Sequence, residues 1–268
     1  MSLTRLPGPL AGTPDQLTNY SIDGPKHRLL MHPFPRRVRA EIDGVTVLDT
    51  RDGVLLHETG LLPQLYVPEA DLRARLLEPT DHSTHCPFKG DASYRSIKVG
   101  DRVAENAVWH YPEPIGTASW LRGYAALYWG AADRWLDEDD EAVGHLPDPF
   151  HRVDVRATGQ RVRVLAGESV LADSSNALVL SETALPNRYY LPTADVDLDR
   201  LTASDTRTVC SYKGAAEYWT LRGGNGTDGE VADVAFGYPR PLPEAARIAD
   251  HVCFLHDSLV TEVDGKPI

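Results

Sequence analysis

Residues 57–97 read HETGLLPQLYVPEADLRARLLEPTDHSTHCPFKGDASYRSI, and residues 181–221 read SETALPNRYYLPTADVDLDRLTASDTRTVCSYKGAAEYWTL. The two blocks align without a gap at an offset of 124 residues, and 15 of the 41 positions are identical. Both copies hold a Glu-Thr pair (Glu58-Thr59, Glu182-Thr183), a tyrosine (Tyr66, Tyr190), a cysteine (Cys86, Cys210), a Lys-Gly pair (Lys89-Gly90, Lys213-Gly214) and a second tyrosine (Tyr94, Tyr218). A period this long marks whole domains, since solenoid units recur roughly every 20–50 residues. The chain is therefore two like domains, and what both copies kept is the first guide to what matters.

Working outward from the repeat, Val38, Ala40 and Ile42 alternate with polar residues, and Asp43-Gly44 then turns the chain into Val45. Glycine supplies the positive φ that such a hairpin turn needs. The second domain repeats the pattern with Val162, Val164, Ala166-Gly167, Val170 and Leu171. Further short strands are expected over 54–56, 65–67, 97–99 and 102–109, and over 177–180, 189–191, 218–221 and 230–236. Frequent short strands separated by turn signals predict a mostly antiparallel β domain. Helices should be few. One short turn is expected at 68–72 and another at 192–196, each opened by proline with acids where the helix dipole favours them. Leu121, Ala125, Tyr128, Ala132 and Trp135 fall at helical spacing and predict a longer helix over 117–136, with a shorter counterpart over 244–252. Gly223, Gly224 and Gly226 mark a hairpin tip. The expected layout is an extended arm over 1–35, a first domain over 36–136, an acidic, proline-bearing linker over 137–155 and a second domain over 156–268.

A chain of 268 residues can bury two cores of ordinary size. Its net charge of −12 repels phosphate backbones and anionic lipid, so neither nucleic acid nor membrane is expected as a partner. There is no apolar run of 18 residues and no signal-peptide pattern at the start. Three cysteines are too few for a disulfide framework and fit a reducing cytoplasmic location.

The run Thr84-His85-Cys86-Pro87-Phe88-Lys89-Gly90, followed by Ala92-Ser93-Tyr94, Trp109 and Tyr111-Pro112-Glu113-Pro114, resembles the bacterial "domain of unknown function 427" family. Glu58-Thr59 and Tyr66-Val67-Pro68 fit its upstream half, and the second copy fits through Glu182-Thr183, Tyr190-Leu191-Pro192, Cys210-Ser211-Tyr212-Lys213-Gly214, Tyr218 and Tyr238-Pro239-Arg240-Pro241. The resemblance spans residues 37–130 and 160–264. It implies a mostly β chain of two tandem β-tent domains, in which two small sheets meet at an angle as in type B methionine sulfoxide reductases. About function it implies little, because the family is uncharacterised, although it is sometimes labelled nucleotidyltransferase-like. The second copy departs from the first at Ser211, which replaces Pro87, and at Phe236, which replaces Trp109.

Cys86 and Cys210 are the candidate catalytic residues. A thiolate is nucleophilic, and a lysine ammonium nearby favours it; a turn at Cys86-Pro87-Phe88-Lys89 would bring the two together. The same residues suit a plainer role, the cysteine as a small core side chain and the lysine as the holder of a loop carbonyl. A nucleophilic cysteine also needs a base, and the two copies are read as sharing no histidine. Glu58 and Glu182 end apolar strands, where a carboxylate can take a ligand's proton or serve as counter-ion to the lysine. The aromatics Tyr66, Tyr94 and Trp109, with Tyr190, Tyr218 and Phe236, either wall a pocket or fill core. Glu58, Tyr66, Lys89, Tyr94 and Trp109, with Glu182, Tyr190, Lys213, Tyr218 and Phe236, form the candidate ligand-binding set.

A structural zinc site needs four ligands. His82, His85, Cys86 and His110 could supply them in the first domain, but the histidines become Thr206, Val209 and Gly237 in the second, so no metal and no cofactor is expected. Nucleotidyl transfer needs paired carboxylates for magnesium. Asp195, Asp197 and Asp199 offer them, yet the first copy has Asp71, Arg73 and Arg75 and no glycine-rich phosphate loop is present, which leaves this reading the least favoured. The leading expectation is a small polar or anionic molecule bound in each domain, with Lys89 and Lys213 as cationic contacts. The alternatives are a cysteine-dependent enzyme acting on a small molecule, and a scaffold whose retained residues are core.

Overall fold

A computed structural model of the chain describes residue 19 and residues 23–223 and 229–268. The first half contains strands β1 (Leu29–Pro33), β2 (Val38–Ile42), β3 (Val45–Thr50), β4 (Val54–Glu58), β5 (Gln64–Pro68), β6 (Leu77–Cys86), β7 (Gly90–Val99), β8 (Arg102–His110), β9 (Tyr124–Leu127), β10 (Arg134–Asp137) and β11 (Asp140–Ala142). Seven of them form a sheet in the order β1-β4-β5-β9-β8-β7-β6, and four form a second sheet in the order β11-β10-β2-β3. The second half repeats this strand for strand: β12 (Val153–Ala157), β13 (Val162–Ala166), β14 (Ser169–Ser174), β15 (Leu178–Glu182), β16 (Arg188–Pro192), β17 (Leu201–Cys210), β18 (Gly214–Leu221), β19 (Val231–Gly237), β20 (His251–Phe254), β21 (Val260–Val263) and β22 (Lys266–Pro267). Its sheets run β12-β15-β16-β20-β19-β18-β17 and β14-β13-β21-β22. Neighbouring strands are antiparallel. The chain is mostly β, as expected, and divides into compact units over 1–150 and 151–268.

The strands at the heart of each seven-stranded sheet, β4, β5 and β9 or β15, β16 and β20, are largely buried on both faces, and strand alternation sorts their residues between them. In the first domain Leu55, Leu65 and Val67 join Val38, Leu48 and Trp135 in a cluster between the two sheets. Their neighbours Leu56 and Tyr66 point the other way, into a cluster with Tyr94, Tyr111, Ala118 and Leu121. The second domain divides likewise: Leu191, Val164 and Phe254 lie between its sheets, while Leu180, Tyr190, Tyr238 and Ile248 lie on the far face. The candidate aromatics belong to the far-face clusters. Asp43 and Gly44 take φ of 48° and 71°, which gives the β2–β3 turn the left-handed geometry its sequence predicts.

The helix expected over 117–136 is not formed. A 3-10 helix covers Gly116–Leu121, Gly123 turns the chain at φ 82°, and the rest becomes β9, a short 3-10 turn and β10. Ala125, Ala126 and Leu127 are at most 2% exposed between β5 and β8. A run buried on both faces has no polar side, so its spacing reads equally well as helix or strand. The counterpart over 244–252 resolves in the same way, into a 3-10 helix at Pro243–Ile248 and strand β20. The two short turns expected after Pro68 and Pro192 are present as 3-10 helices, Glu69–Asp71 and Thr193–Asp195. Of the arm expected over 1–35, most lies outside the described residues, and its last part is β1. Where an acidic linker was expected over 137–155, the chain forms the β10–β11 hairpin and enters β12. Of the hairpin tip read at 223–226, all but Gly223 lies outside the described residues. No helix among the described residues is long and apolar enough to cross a membrane.

Candidate functional site

The geometry begins with a three-residue hairpin loop. Strand β6 ends at Cys86 and β7 starts at Gly90, and the Lys89 N–H closes the turn on the Cys86 carbonyl at 3.2 Å. Lys213 does the same to Cys210 at 3.3 Å. The next residue takes φ of 105° at Gly90 and 101° at Gly214, conformations open to glycine and costly for other residues. Glycine is also needed for room. A Cβ on Gly90 would lie 3.3 Å from the Glu113 carbonyl oxygen, and one on Gly214 would lie 3.1 Å from that of Arg240. The Tyr-Pro-x-Pro segment runs against this point, and the first N–H after its second proline, from Ile115 or Leu242, donates to the carbonyl of Lys89 or Lys213 at 3.0 or 3.1 Å. The lysine, the glycine and the proline motif are thus retained together because they build one corner.

That corner delivers the lysine to the end of β4. Lys89 Nζ, 31 residues on in sequence, donates to Glu58 Oε2, and Lys213 Nζ donates to Glu182 Oε2 in the same manner. The other carboxylate oxygen meets a histidine: His27 Nε2 lies 2.8 Å from Glu58 Oε1, and His151 Nε2 lies 3.0 Å from Glu182 Oε1. Each imidazole in turn packs on the aromatic residue of the hairpin loop, His27 on Phe88 at 3.6 Å between centroids and His151 on Tyr212 at 4.1 Å. Lys89 and Glu58 are 8% and 7% exposed and His27 is half-buried, so this is a His–Glu–Lys triad built on a buried ion pair rather than a surface one. The retained threonine fixes its frame. The backbone N–H of Arg28 donates to Thr59 Oγ1 at 2.9 Å, and that of Arg152 to Thr183 Oγ1 at 2.8 Å, which ties the histidine-bearing segment to the end of β4 or β15.

The histidine corrects the reading that the copies share none. His27 and His151 are 124 residues apart, the same offset as the repeat, and Pro25/Pro149 and Arg28/Arg152 obey it too. The signal was present upstream of the aligned block, in stretches read as an arm and a linker.

The remaining candidates line the far-face cluster beside the triad. Trp109 Nε1–H donates to the Tyr66 hydroxyl at 3.1 Å. Phe236 has no such donor and meets Tyr190 edge-on at 6.2 Å. The Tyr94 hydroxyl pairs with Thr84 Oγ1, and the Tyr218 hydroxyl with Thr208 Oγ1, both at 2.9 Å. Burial pushes the Tyr66, Tyr111, Tyr190 and Tyr238 hydroxyls well above the ordinary phenol range, so all four stay protonated. Cys86 and Cys210 are half-buried against these rings. The histidine that could have served them as base gives its Nε2 to the glutamate. Cys253 is fully enclosed, and burial pushes its thiol up to about 12. The residues weighed as zinc ligands have separate partners: His82 lies against Tyr94, His85 bonds Asp91 at 2.6 Å, and His110 bonds Glu69 at 3.2 Å.

A family model described as a domain of unknown function, DUF427, matches residues 30–138 and again 154–265. The chain belongs to the DUF427 family. No curated protein matches it significantly. Within these DUF427 domains the aspartate at the head of the acidic run is structural: Asp195 accepts from the Ser174 hydroxyl at 2.6 Å, and its counterpart Asp71 accepts from Thr50 at 2.6 Å. The corner, the triad and the tyrosine wall are the features that both DUF427 domains build alike.

The triad also has a pH signature. Burial alone would raise the Glu182 carboxyl, but the hydrogen bonds and charges of His151 and Lys213 outweigh it and hold the group at about 2, against 4.5 in an unfolded chain. Between those values the unfolded state takes a proton that the folded state refuses, so acid favours unfolding. The contribution is complete above pH 4.5 and is lost as pH falls through about 2, and it amounts to about 3 kcal/mol. Stability of the second domain measured across this range should fall more steeply in the native chain than in Glu182→Gln. Parallel profiles would place the carboxylate's effect elsewhere.

Proposed function

We propose that each DUF427 domain binds a small polar or anionic molecule at the rim of its His–Glu–Lys triad. The observation that carries this reading is the hydrogen-bond inventory of the ammonium. Lysine has three N–H donors and gives one to the glutamate, in both domains and at the same place. The carboxylate takes one contact on each oxygen, the lysine on one and the histidine on the other, so it holds the lysine charged and aimed through a single N–H. The remaining donors suit a carbonyl, carboxylate or other oxygen of a ligand, with the tyrosine wall supplying an apolar face. A charge-assisted bond of this kind is among the stronger ones available in a partly desolvated recess. The free cysteines of the chain support a cytoplasmic setting for that ligand.

The scaffold reading draws on a specific observation as well. A carboxylate bonded on both oxygens, a stacked imidazole and a buried ammonium together form a clasp that pins the hairpin loop to β4 or β15 whether or not a ligand is present. A native mass spectrum separates the two. The full chain, purified from a bacterial cytoplasm, is expected to carry an excess mass at up to two sites per chain. That mass should be absent from a variant with Glu58→Gln, Lys89→Gln, Glu182→Gln and Lys213→Gln, which keeps the hydrogen-bonding shape and removes both charges of each pair. A mass that survives in the variant, or a bare chain throughout, favours the clasp alone.

A further inference from the structure

Strand β4 carries a second ionisable group, which the triad does not use. Alternation sends Glu58 to the triad and its neighbour His57 to the opposite face, the side of Leu55. His57 is completely enclosed, at 0% exposure, and neither of its ring nitrogens has a hydrogen-bond partner among the described residues. An imidazole always carries at least one N–H, so an orphaned donor is held in the interior at a cost in free energy.

The segment after β11 closes over this ring. Leu146 belongs to the intersheet core, Asp148 is 3% exposed, and the Phe150 N–H donates to Asp148 Oδ1 at 2.8 Å. The Phe150 ring lies 5.6 Å from that of His57 and 4.8 Å from that of His32, a residue of β1 paired with Leu55. Asp148 Oδ2 is 4.0 Å from His57 Nδ1, near enough for its charge to be felt and too far for a hydrogen bond. Asp148 and His32 are the titratable groups that act on His57. From the other side, β5 presents Leu65 and Val67 to this face and no ionisable side chain. The second domain has Ser181 and Arg156 at the places of His57 and His32, so the arrangement belongs to one copy.

We propose that His57 is a proton-operated latch: residues 146–150 lie closed over the neutral imidazole and lift from the first domain when it takes a proton. An imidazolium enclosed without a hydrogen bond is poorly solvated, and opening the segment hydrates it. Burial accordingly pushes the group below its ordinary 6.5, His32 acts in the same direction, and the upward pull of Asp148 does not restore it. The open segment therefore takes the proton more readily than the closed one. Closure is strongest above pH 6.5, and each pH unit below that value favours opening by up to about tenfold, until the closed form also takes the proton.

Amide hydrogen exchange of the full chain over residues 145–150, corrected for the intrinsic pH dependence of exchange, tests the latch between pH 7.5 and 5.5. The native chain should gain about tenfold in opening across that range. His57→Ser, which copies the second domain's residue at this place, should show a flat profile, and so should His57→Leu, which fills the place with an apolar side chain. His32→Gln should keep the gain. A native profile without pH dependence overturns the latch, as does an undiminished gain in a folded His57 variant. A gain lost in His32→Gln and kept in the His57 variants assigns the proton to His32 and overturns it as well.

Discussion

Lys213→Ala is expected to destabilise the second domain by about 3–5 kcal/mol, one of the largest losses open to a single substitution in the chain. The cause is what the substitution leaves behind rather than the bond it removes. Glu182 would keep its place at the end of β15 with its charge facing a vacated recess and only His151 in contact. The carboxyl then loses one of the two partners that overturn its burial penalty, and its proton affinity should climb back from the depressed value of about 2. Removing both charges is a different experiment. In Glu182→Gln with Lys213→Gln the loss should be much smaller, because no lone charge remains in the recess. Denaturant unfolding of the three chains, with hydrogen exchange read over β15 to β18, checks the ordering. Equal losses in the single and the paired variant would mean that the pair acts as packing and not as charge. The practical corollary is that alanine at Lys89 or Lys213 confounds a binding assay with unfolding, which is why amide pairs are the better probe of ligand binding.

Gly214→Ala should cost about 3 kcal/mol, at the upper end of what backbone strain alone produces. Two effects add there. Its φ of 101° lies beyond the left-handed basin that other residues visit, and a Cβ would meet the Arg240 carbonyl oxygen at 3.1 Å. Because the obstructing atom is backbone in a segment stiffened by Pro239 and Pro241, little can yield without breaking the Leu242 N–H bond to Lys213. Gly265 is the control. It also has a positive φ, 76°, but nothing lies within 4 Å of its Cβ position, so alanine there should cost only about 1 kcal/mol. Melting temperatures of the two variants measure the difference. Equal shifts would mean that the corner adapts and that φ alone matters.

Much of the architecture was written in local pattern. Asp43-Gly44, Gly100-Asp101 and the alternating valines define hairpins because turn chemistry and pleat act within a few residues. The fate of 117–136 was not legible, since three consecutive buried residues, Ala125 to Leu127, satisfy helix and strand periodicity together. The pairing of Glu58 with Lys89 could be posed from sequence as one of two roles for a strand-end carboxylate, and the structure brings the two side chains together. The histidine could not be reached by that logic. His27 and Glu58 are 31 residues apart and meet only because β1 adds to the edge of β4, a long-range event with no local signature. Only the repeat offset, followed past the end of the dense block of identities, would have exposed it.

Placing the third member of the triad on the segment ahead of β1 and β12 sets the size of the inherited cassette. His27 and His151 both precede the stretches that match the family, which begin at 30 and 154. The piece of gene that was copied must therefore have started upstream of those limits for both halves to possess the same ion trio. A fragment trimmed to the matched window would keep the whole seven-stranded sheet but for the first residue of β1 or β12, and yet leave the glutamate with one partner fewer. The boundary that homology draws and the boundary that the electrostatics need differ by a few residues, and they are the residues that complete the trio.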